Sequence, residues 1–541
     1  MSTFYPSGLL QLLVRLDTGF GPLPPEAIAA LQGQQGSLST PATSLEAFAP
    51  ADDGFSILNA ILPAEVSHER NGPRQADTLT VRIPFKDFPL PARAVRSIGV
   101  VWYAGTVSAD NYARGMSRAL AGDSGSNSAI LIPSRKNLRF VGFADGVTED
   151  HAAHSIVFQA RDYTGILLDT RVKPEVLQKL DIGMTLDLVV LQLLREFPGN
   201  GARGLEVEFQ QWVDETGQPQ PFPVVAEVYG PAAQARKGKK PRLPASRGGA
   251  DISYWDLLTD LCVMCGFIPV IEEDRLRIIP PRNFYASAGS FSRVVGGETL
   301  TTRRMVHGAN IKGLSFTRKF GRLAVPSIEV ISSAPGLRVP LRSKYPADVP
   351  GKGANTVLPS GRGAAERSEL VLIKGISSQT ELDRFAAGLW EEYGRQEWQG
   401  KLSTQDLASL GDPRIPTGGN AEPDLLDVRS GDPFQVVIQR RSQDTGVLST
   451  LSDLDTPSAR LAAMKRWGVS ASAAEALVRL YDATRQMGDT FRVRQVSATW
   501  QLGGDSPKVS LGFSLGTFLN APALPSPNIP IEVSEPVRVK V

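Results

Sequence analysis

The sequence predicts an α+β, β-rich, multidomain chain in which two antiparallel β tracts flank a central α/β segment and a helical pair is inserted in the second tract. Three observations carry this. Thr78–Phe85 alternates, with Leu79, Val81, Ile83 and Phe85 on one face, and strand-like runs follow at short intervals. Ser253–Pro281 (SYWDLLTDLCVMCGFIPVIEEDRLRIIPP) reads as one helix and a tight hairpin. After Pro281 the β pattern resumes and runs to the hairpin at Gly503-Gly504-Asp505.

Taken in order, residues 1–53 carry many Pro, Gly, Ser and Gln and read as an extended arm, with one short helix over Pro25–Gln32 that has proline in its first turn. Residues 54–175 form the first β unit: Thr78–Phe85, the apolar run Val95–Val107, Leu138–Phe143 and Ser155–Ala160, the last two joined by an acidic turn at Asp145–Asp150. Their spacing suits a small barrel or a sandwich. Residues 119–129 read as a polar loop.

The central segment, 176–290, holds a helix over Thr185–Phe197 with Leu186, Val189, Val190, Leu193 and Leu194 on its buried stripe, a strand at Leu205–Phe209, the basic loop 234–249 and the helix–hairpin. Ser253 suits the N-cap, Asp256 the first turn, and Gly266 a left-handed C-terminal stop. Residues 291–520 form the second β unit. Its strands fall at Gly313–Arg318, Ser327–Ser332, Glu369–Ile376, Trp398–Ser403, Phe434–Ile438, Phe491–Trp500 and Lys508–Ser514, with a Gly/Pro-rich loop at 334–362. A helix capped by Ser378 and Glu381 buries Leu382, Phe385, Ala386, Leu389 and Tyr393, and the helical pair 457–487 breaks at Gly468. Residues 521–541 read as a Pro-rich extended tail.

Composition narrows the function. Lys and Arg number 58 against 56 Asp and Glu, a formal charge of +2, which gives no bulk attraction to nucleic acid or anionic membrane. Two cysteines cannot form a disulfide framework, no apolar run is long enough to span a bilayer, and Arg15 and Asp17 interrupt any signal-like core; the expectation is a soluble cytoplasmic product.

Candidate chemistry is sparse. Cys262-Val-Met-Cys265 lies at the C-terminal end of its helix, where the dipole opposes thiolate, so burial is the expectation. A zinc site would need two more ligands, and His68, His151, His154 and His307 show no matching spacing. His151-x-x-His154 reads as a polar turn, Glu272/Glu273 as a hairpin tip and Glu391/Glu392 as a solvated helix face. No phosphate loop, nucleophile elbow or His-Glu-x-x-His helix is present. The run Arg236–Lys240 with Arg242 and Arg247 reads as a solvated loop. The second helix of the 457–487 pair opens Ala-Ser-Ala-Ala-Glu, without the polar readers of a DNA-recognition helix. The expectation is no enzyme, no catalytic residue, no cofactor and no metal.

Four stretches, in this order, carry a resemblance: Val157–Leu167 (VFQARDYTGIL); the helix–hairpin; Gly375-Ile376 with the Leu382–Tyr393 helix and Gly400–Thr404; and Leu426–Phe434 (LDVRSGDPF). Over residues 75–515 the chain resembles the baseplate hub proteins of phage tails. The resemblance implies two tail-tube-like β-barrels per chain. It also implies a homotrimer that joins a hexameric tail tube or distal-tail ring above to a trimeric central spike below, through pseudo-sixfold symmetry. It further implies a channel that genomic DNA passes without sequence-specific binding, other baseplate proteins held by the arm and tail, and contact with the host envelope only through the assembled tail. The location implied is the virion tail, with host cytoplasm during assembly. The rivals are another tube-related ring (distal-tail or terminator), a Cys-x-x-Cys redox enzyme and a helix-turn-helix protein.

Overall fold

The computed structural model describes residues 4–16, 55–108, 131–229, 252–280, 293–345, 368–404, 424–450, 489–518 and 537–540, apart from short stretches within those spans. The expected loops 119–129 and 234–249, the helix at 25–32, the helical pair 457–487 and most of 334–362 lie outside the described residues.

The first tract comprises β1 (Phe4–Leu16), β2 (Phe55–Ile61), β3 (Glu65–Arg70), β4 (Thr78–Pro84), β5 (Val95–Ser108), β6 (Leu138–Asp150) and β7 (Ser155–Asp162). Helices α1 (Tyr163–Asp169), α2 (Pro174–Lys179) and α3 (Leu186–Arg195) follow, then β8 (Glu206–Phe209), α4 (Val225–Tyr229), α5 (Tyr254–Met264), β9 (Ile268–Glu272) and β10 (Arg275–Ile279). Next come β11 (Arg293–Val295), β12 (Glu298–Leu300), β13 (Arg303–His307), β14 (Ile311–Arg318), β15 (Ser327–Ser332), β16 (Leu341–Tyr345) and β17 (Ser368–Ile373). The chain continues through α6 (Gln379–Tyr393), β18 (Gln396–Thr404), β19 (Pro433–Arg441), β20 (Leu448–Thr450), β21 (Asp489–Gln501), β22 (Lys508–Phe518) and β23 (Val537–Lys540).

The β-rich, largely antiparallel build matches the expectation, but the two tracts are not separate. One fourteen-stranded sheet runs β2-β1-β5-β6-β7-β4-β3-β21-β22-β18-β14-β13-β19-β20. The junction is an antiparallel ladder from Val496↔Arg70 to Gln501↔Glu65. It covers an edge on each tract that would otherwise present unpaired backbone groups. β19 also pairs back to β21, so the second tract's pairing forms a cycle β21-β22-β18-β14-β13-β19.

The arm expected over 1–53 is corrected at its start. Phe4–Leu16 is a strand held between β5 and β2. It escapes an alternation test because both its faces are buried: Leu10, Leu12 and Val14 enter the core shared by the two tracts, while Leu9 and Leu13 face the helical segment. β5 is two-sided in the same way, with Val100 and Trp102 inward and Val101 and Tyr103 toward the helices. The acidic turn expected at Asp145–Asp150 is also corrected. These residues continue β6 past a register shift at Ala144/Gly146, and the turn is at 151–154, where His154 takes φ 48°.

The central segment packs on the outer face of β1, β5 and β6 through α1, α3 and α5. The strand expected at Leu205–Phe209 pairs with neither tract; β8 lies parallel to β10 in a small sheet ordered β23-β8-β10-β9. The tail expected over 521–541 thus ends in a paired strand rather than a free end. A second small sheet, β16-β15-β17, packs against α6, whose Leu382, Phe385 and Ala386 are buried as its stripe predicts. No helix of the described residues is long and apolar enough to cross a membrane.

Candidate functional site: a charged joint at the hairpin tip

The helix–hairpin forms as its residues dictate. The Ser253 hydroxyl oxygen accepts from the Asp256 N–H at 3.0 Å and donates its proton to the Asp256 carboxylate at 2.6 Å. At the other end, Gly266 has φ 80° and its N–H donates to the Val263 carbonyl, while the Phe267 N–H donates to the Cys262 carbonyl at 2.8 Å. This paired closure turns the chain directly into β9. Both Cys262 and Cys265 are fully buried free thiols, and burial pushes the Cys262 thiol far above its ordinary range. The motif fills space between α5 and its neighbours.

The hairpin tip does more. Glu272 pairs with Arg275 across a two-residue loop whose first residue, Glu273, takes φ 53°, an uncommon conformation for a residue with a side chain. Arg429 of the Arg429-Ser430-Gly431-Asp432 turn reaches this tip. Its guanidinium donates to both carboxylate oxygens of Glu273 at 2.9 and 2.8 Å and also contacts Glu272. Gly431, at φ 92°, makes the turn, and its N–H donates to the Val493 carbonyl at 2.7 Å. The Arg429 N–H in turn donates to the Asp432 carboxylate.

Two arginines of the first tract complete the cluster. Arg70, at the end of β3, donates to the Leu426 and Val428 carbonyls at 3.1 and 3.2 Å and lies 3.6 Å from Glu273. Arg139 of β6 donates to the Ala104 carbonyl at 2.9 Å and pairs with Asp427. The joint therefore ties first tract, second tract and helix–hairpin together at a few buried side chains.

Its electrostatics follow from burial opposed by pairing. Burial lowers Arg70 to about 10, with Glu273 acting against the shift and Arg429 and Arg139 adding to it. Burial would raise Asp427, but the Arg139 charge and hydrogen bond outweigh it, and the carboxyl stays below its ordinary range. Burial would lower Arg429, yet Glu272 and Glu273 hold it above its usual value. His68, buried against the edge of Phe140, is held neutral by burial and then by the charges of Arg70 and Arg139. Every ion pair here buries charge that is useful only when matched, which suits a joint that fixes orientation rather than one that binds a diffusible ligand.

The sequence marks Glu272/Glu273 as a hairpin tip, but not that Arg429 meets it, nor the part of Arg70, Arg139 and Asp427. His151 and His154 lie in an exposed turn against Phe85, and the structure brings no cysteine to them. Among the described residues no group of three or more His, Cys, Asp or Glu could hold a metal ion.

No protein-family model matches the sequence, and no curated protein matches it. Solved structures similar to the chain include a tail protein from Neisseria meningitidis MC58, at 10% identity and TM-score 0.42, covering 85% of this chain and 94% of that one. A 43 kDa tail protein of prophage MuSo2 from Shewanella oneidensis is similar at 12% identity and TM-score 0.39, over 85% and 95% of the two chains. A prophage tail protein from Listeria monocytogenes EGD-e is similar at 9% identity and TM-score 0.39, over 85% and 91%. Each of these three similar structures is of a tail protein.

Proposed function

We propose that the chain is a structural tail-hub protein, with no catalytic role, that joins a hexameric tail tube to a trimeric central spike. The observation that carries this reading is the β3–β21 ladder, which fuses two β units edge to edge within one chain. Three such chains present six units, the number a sixfold tube requires. In this reading each unit is a tube-like barrel. The second closes through the β19–β21 pairing, and the domains divide near residues 175, 290 and 520, with the first unit taking in Phe4–Leu16.

The face of the sheet turned away from the shared core supports a channel wall. An open groove of about 520 Å³ there is lined by Ser315, Ser403, Ser497 and Gly512 together with Leu314, Leu402 and Phe513, and carries one acid, Glu69, and one base, Lys401. Among the described lining residues, one acid and one base balance, so this groove gives passing DNA no cluster of cations to bind. The partners in this reading are a tube or distal-tail ring above, a spike below and other baseplate proteins at the side, within the virion tail.

The mass of the purified full-length chain in solution tests the proposal. A trimer is the expected result, and a stable hexameric ring would sink it in favour of a distal-tail or terminator ring.

A further inference from the structure

We propose that His68 is an acid-sensitive lock on the junction between the two tracts, closed while its imidazole is neutral and forced open when the ring takes a second proton. The residue sits inside the joining ladder. On β3 it lies directly opposite Ala498 of β21 on one side and Leu79 of β4 on the other. It is 3% exposed and meets the ring of Phe140 edge to face at 5.5 Å. A cavity of about 10 Å³ beside it has room for no more than one water. Solvent therefore reaches the imidazole only when the layers around it part.

The charged groups that line this cavity with His68 have the wrong sign for an imidazolium. Arg70 comes from its own strand and Arg139 from β6, while the 424–427 turn, β21 and β22 contribute only apolar side chains, such as Leu426, Val496 and Leu511. The carboxylates that those arginines hold are already engaged. Asp427 pairs with Arg139, and Glu273 lies 3.6 Å from Arg70 and accepts from Arg429. His68 Nε2 has no hydrogen-bond partner among the described residues, and an imidazolium needs an acceptor for each of its two N–H groups. A second ring proton thus adds a further cation and an unpaired donor to a site closed to water.

Parting the ladder removes both penalties, because water then solvates the ring and separates it from the arginines. The open chain binds one proton that the closed chain excludes. Burial, then the charges of Arg70 and Arg139, hold the closed-state value well below 6.5, so this contribution to stability is full above about 6.5 and is lost as pH falls below it. The buried carboxyls of Asp77 and Asp162, both raised by burial, act with the opposite sign. The inference needs only the folded chain, so it stands or falls apart from the tail reading.

Native-state hydrogen exchange of the full-length chain tests this at the amides of Val66–Arg70 and Val496–Trp500, from about pH 7 to about pH 5. The comparison is a chain carrying His68→Gln, which keeps a neutral polar side chain at the site. Asp77 and Asp162 titrate in both chains, so their effect cancels in the ratio of the two opening equilibria. That ratio, parent over variant, is expected to rise by roughly tenfold per pH unit below about 6.5, the signature of one proton taken up on opening. A ratio that stays flat would overturn the lock. Where His68→Gln does not fold, a chain carrying His151→Gln, His154→Gln and His307→Gln keeps His68 as its one imidazole, and NMR titration of that ring gives a second reading. The ring is expected to stay neutral as pH falls through about 6.5, and a midpoint at or above that value in the folded chain would equally overturn the proposal.

Discussion

Arg429 is the residue on which the joint turns, because among the described residues it alone links the second tract to both hairpin carboxylates. Arg429→Ala leaves Glu272 with Arg277 and Glu273 with Arg70, so the loss falls short of fully orphaning two buried charges. The expected cost is about 2–4 kcal/mol, read as a lower denaturant midpoint. Arg429→Lys keeps the charge but loses the planar two-pronged contact, and an intermediate midpoint is expected. A second residue gives a pH signature. Asp162 accepts from the Thr164 N–H at 2.9 Å as N-cap of α1, yet burial raises its carboxyl to about 7. Asp77, also raised by burial and then by the Asp162 charge, has its backbone carbonyl on the Asp162 N–H. A folded-state value above the unfolded one means that the folded chain holds the proton more tightly, so this stabilisation is full below about 4 and is lost as pH rises through about 7. Asp162→Asn keeps the cap and removes the titration. Relative to that variant, the parent chain is expected to lose stability between pH 4 and 7 in denaturant titrations; parallel pH profiles would refute the assignment.

At the scale of elements, what could be read in advance divides by how many faces are buried. The helix–hairpin was legible to within a residue or two because an N-cap serine, a one-sided apolar stripe, a terminal glycine and a charged loop all mark it locally. α3 and α6 were legible from their one-sided apolar stripes. β1 was not, since a strand buried on both sides shows no period, and the joint was not, since its charges come from stretches hundreds of residues apart. β1 also makes a specific expectation. Gly8 lies against the indole of Trp102, where an added Cβ would come within 2.1 Å of a ring carbon, and that indole is fully buried. Gly8→Ala therefore forces the tryptophan or the strand to move, at a cost of about 1–3 kcal/mol or more, seen as a lower melting temperature and an altered tryptophan emission. In a free arm the same change would be silent, so an unchanged melt would remove β1 from the sheet.

For the whole molecule the question is whether two β units behave as one body. Their shared core answers through particular contacts. Trp102 of β5 meets Trp500 of β21 edge to face at 6.0 Å, Leu10, Val66 and Phe158 belong to the same cluster as Val496, Leu511 and Phe513, and the β3–β21 ladder crosses between them. Arg70 then binds carbonyls of the 426–428 turn from the end of that ladder. Separating the tracts would expose one large apolar face on each and strip buried arginines of their partners, so partial opening is costly compared with domains linked only by a chain. The expectation is one cooperative unfolding transition for both tracts, with fluorescence from the Trp102/Trp500 region coincident with loss of β signal by circular dichroism. Native-state hydrogen exchange should likewise give similar protection to amides of Val66–Arg70 and Val496–Trp500, which face each other in the ladder. Two resolved transitions, with one side of the ladder exchanging well before the other, would mean that the junction is a soft contact. Such a contact could not hold two units at a fixed angle, and the fused pair proposed as the basis of a six-unit ring would lose its physical support.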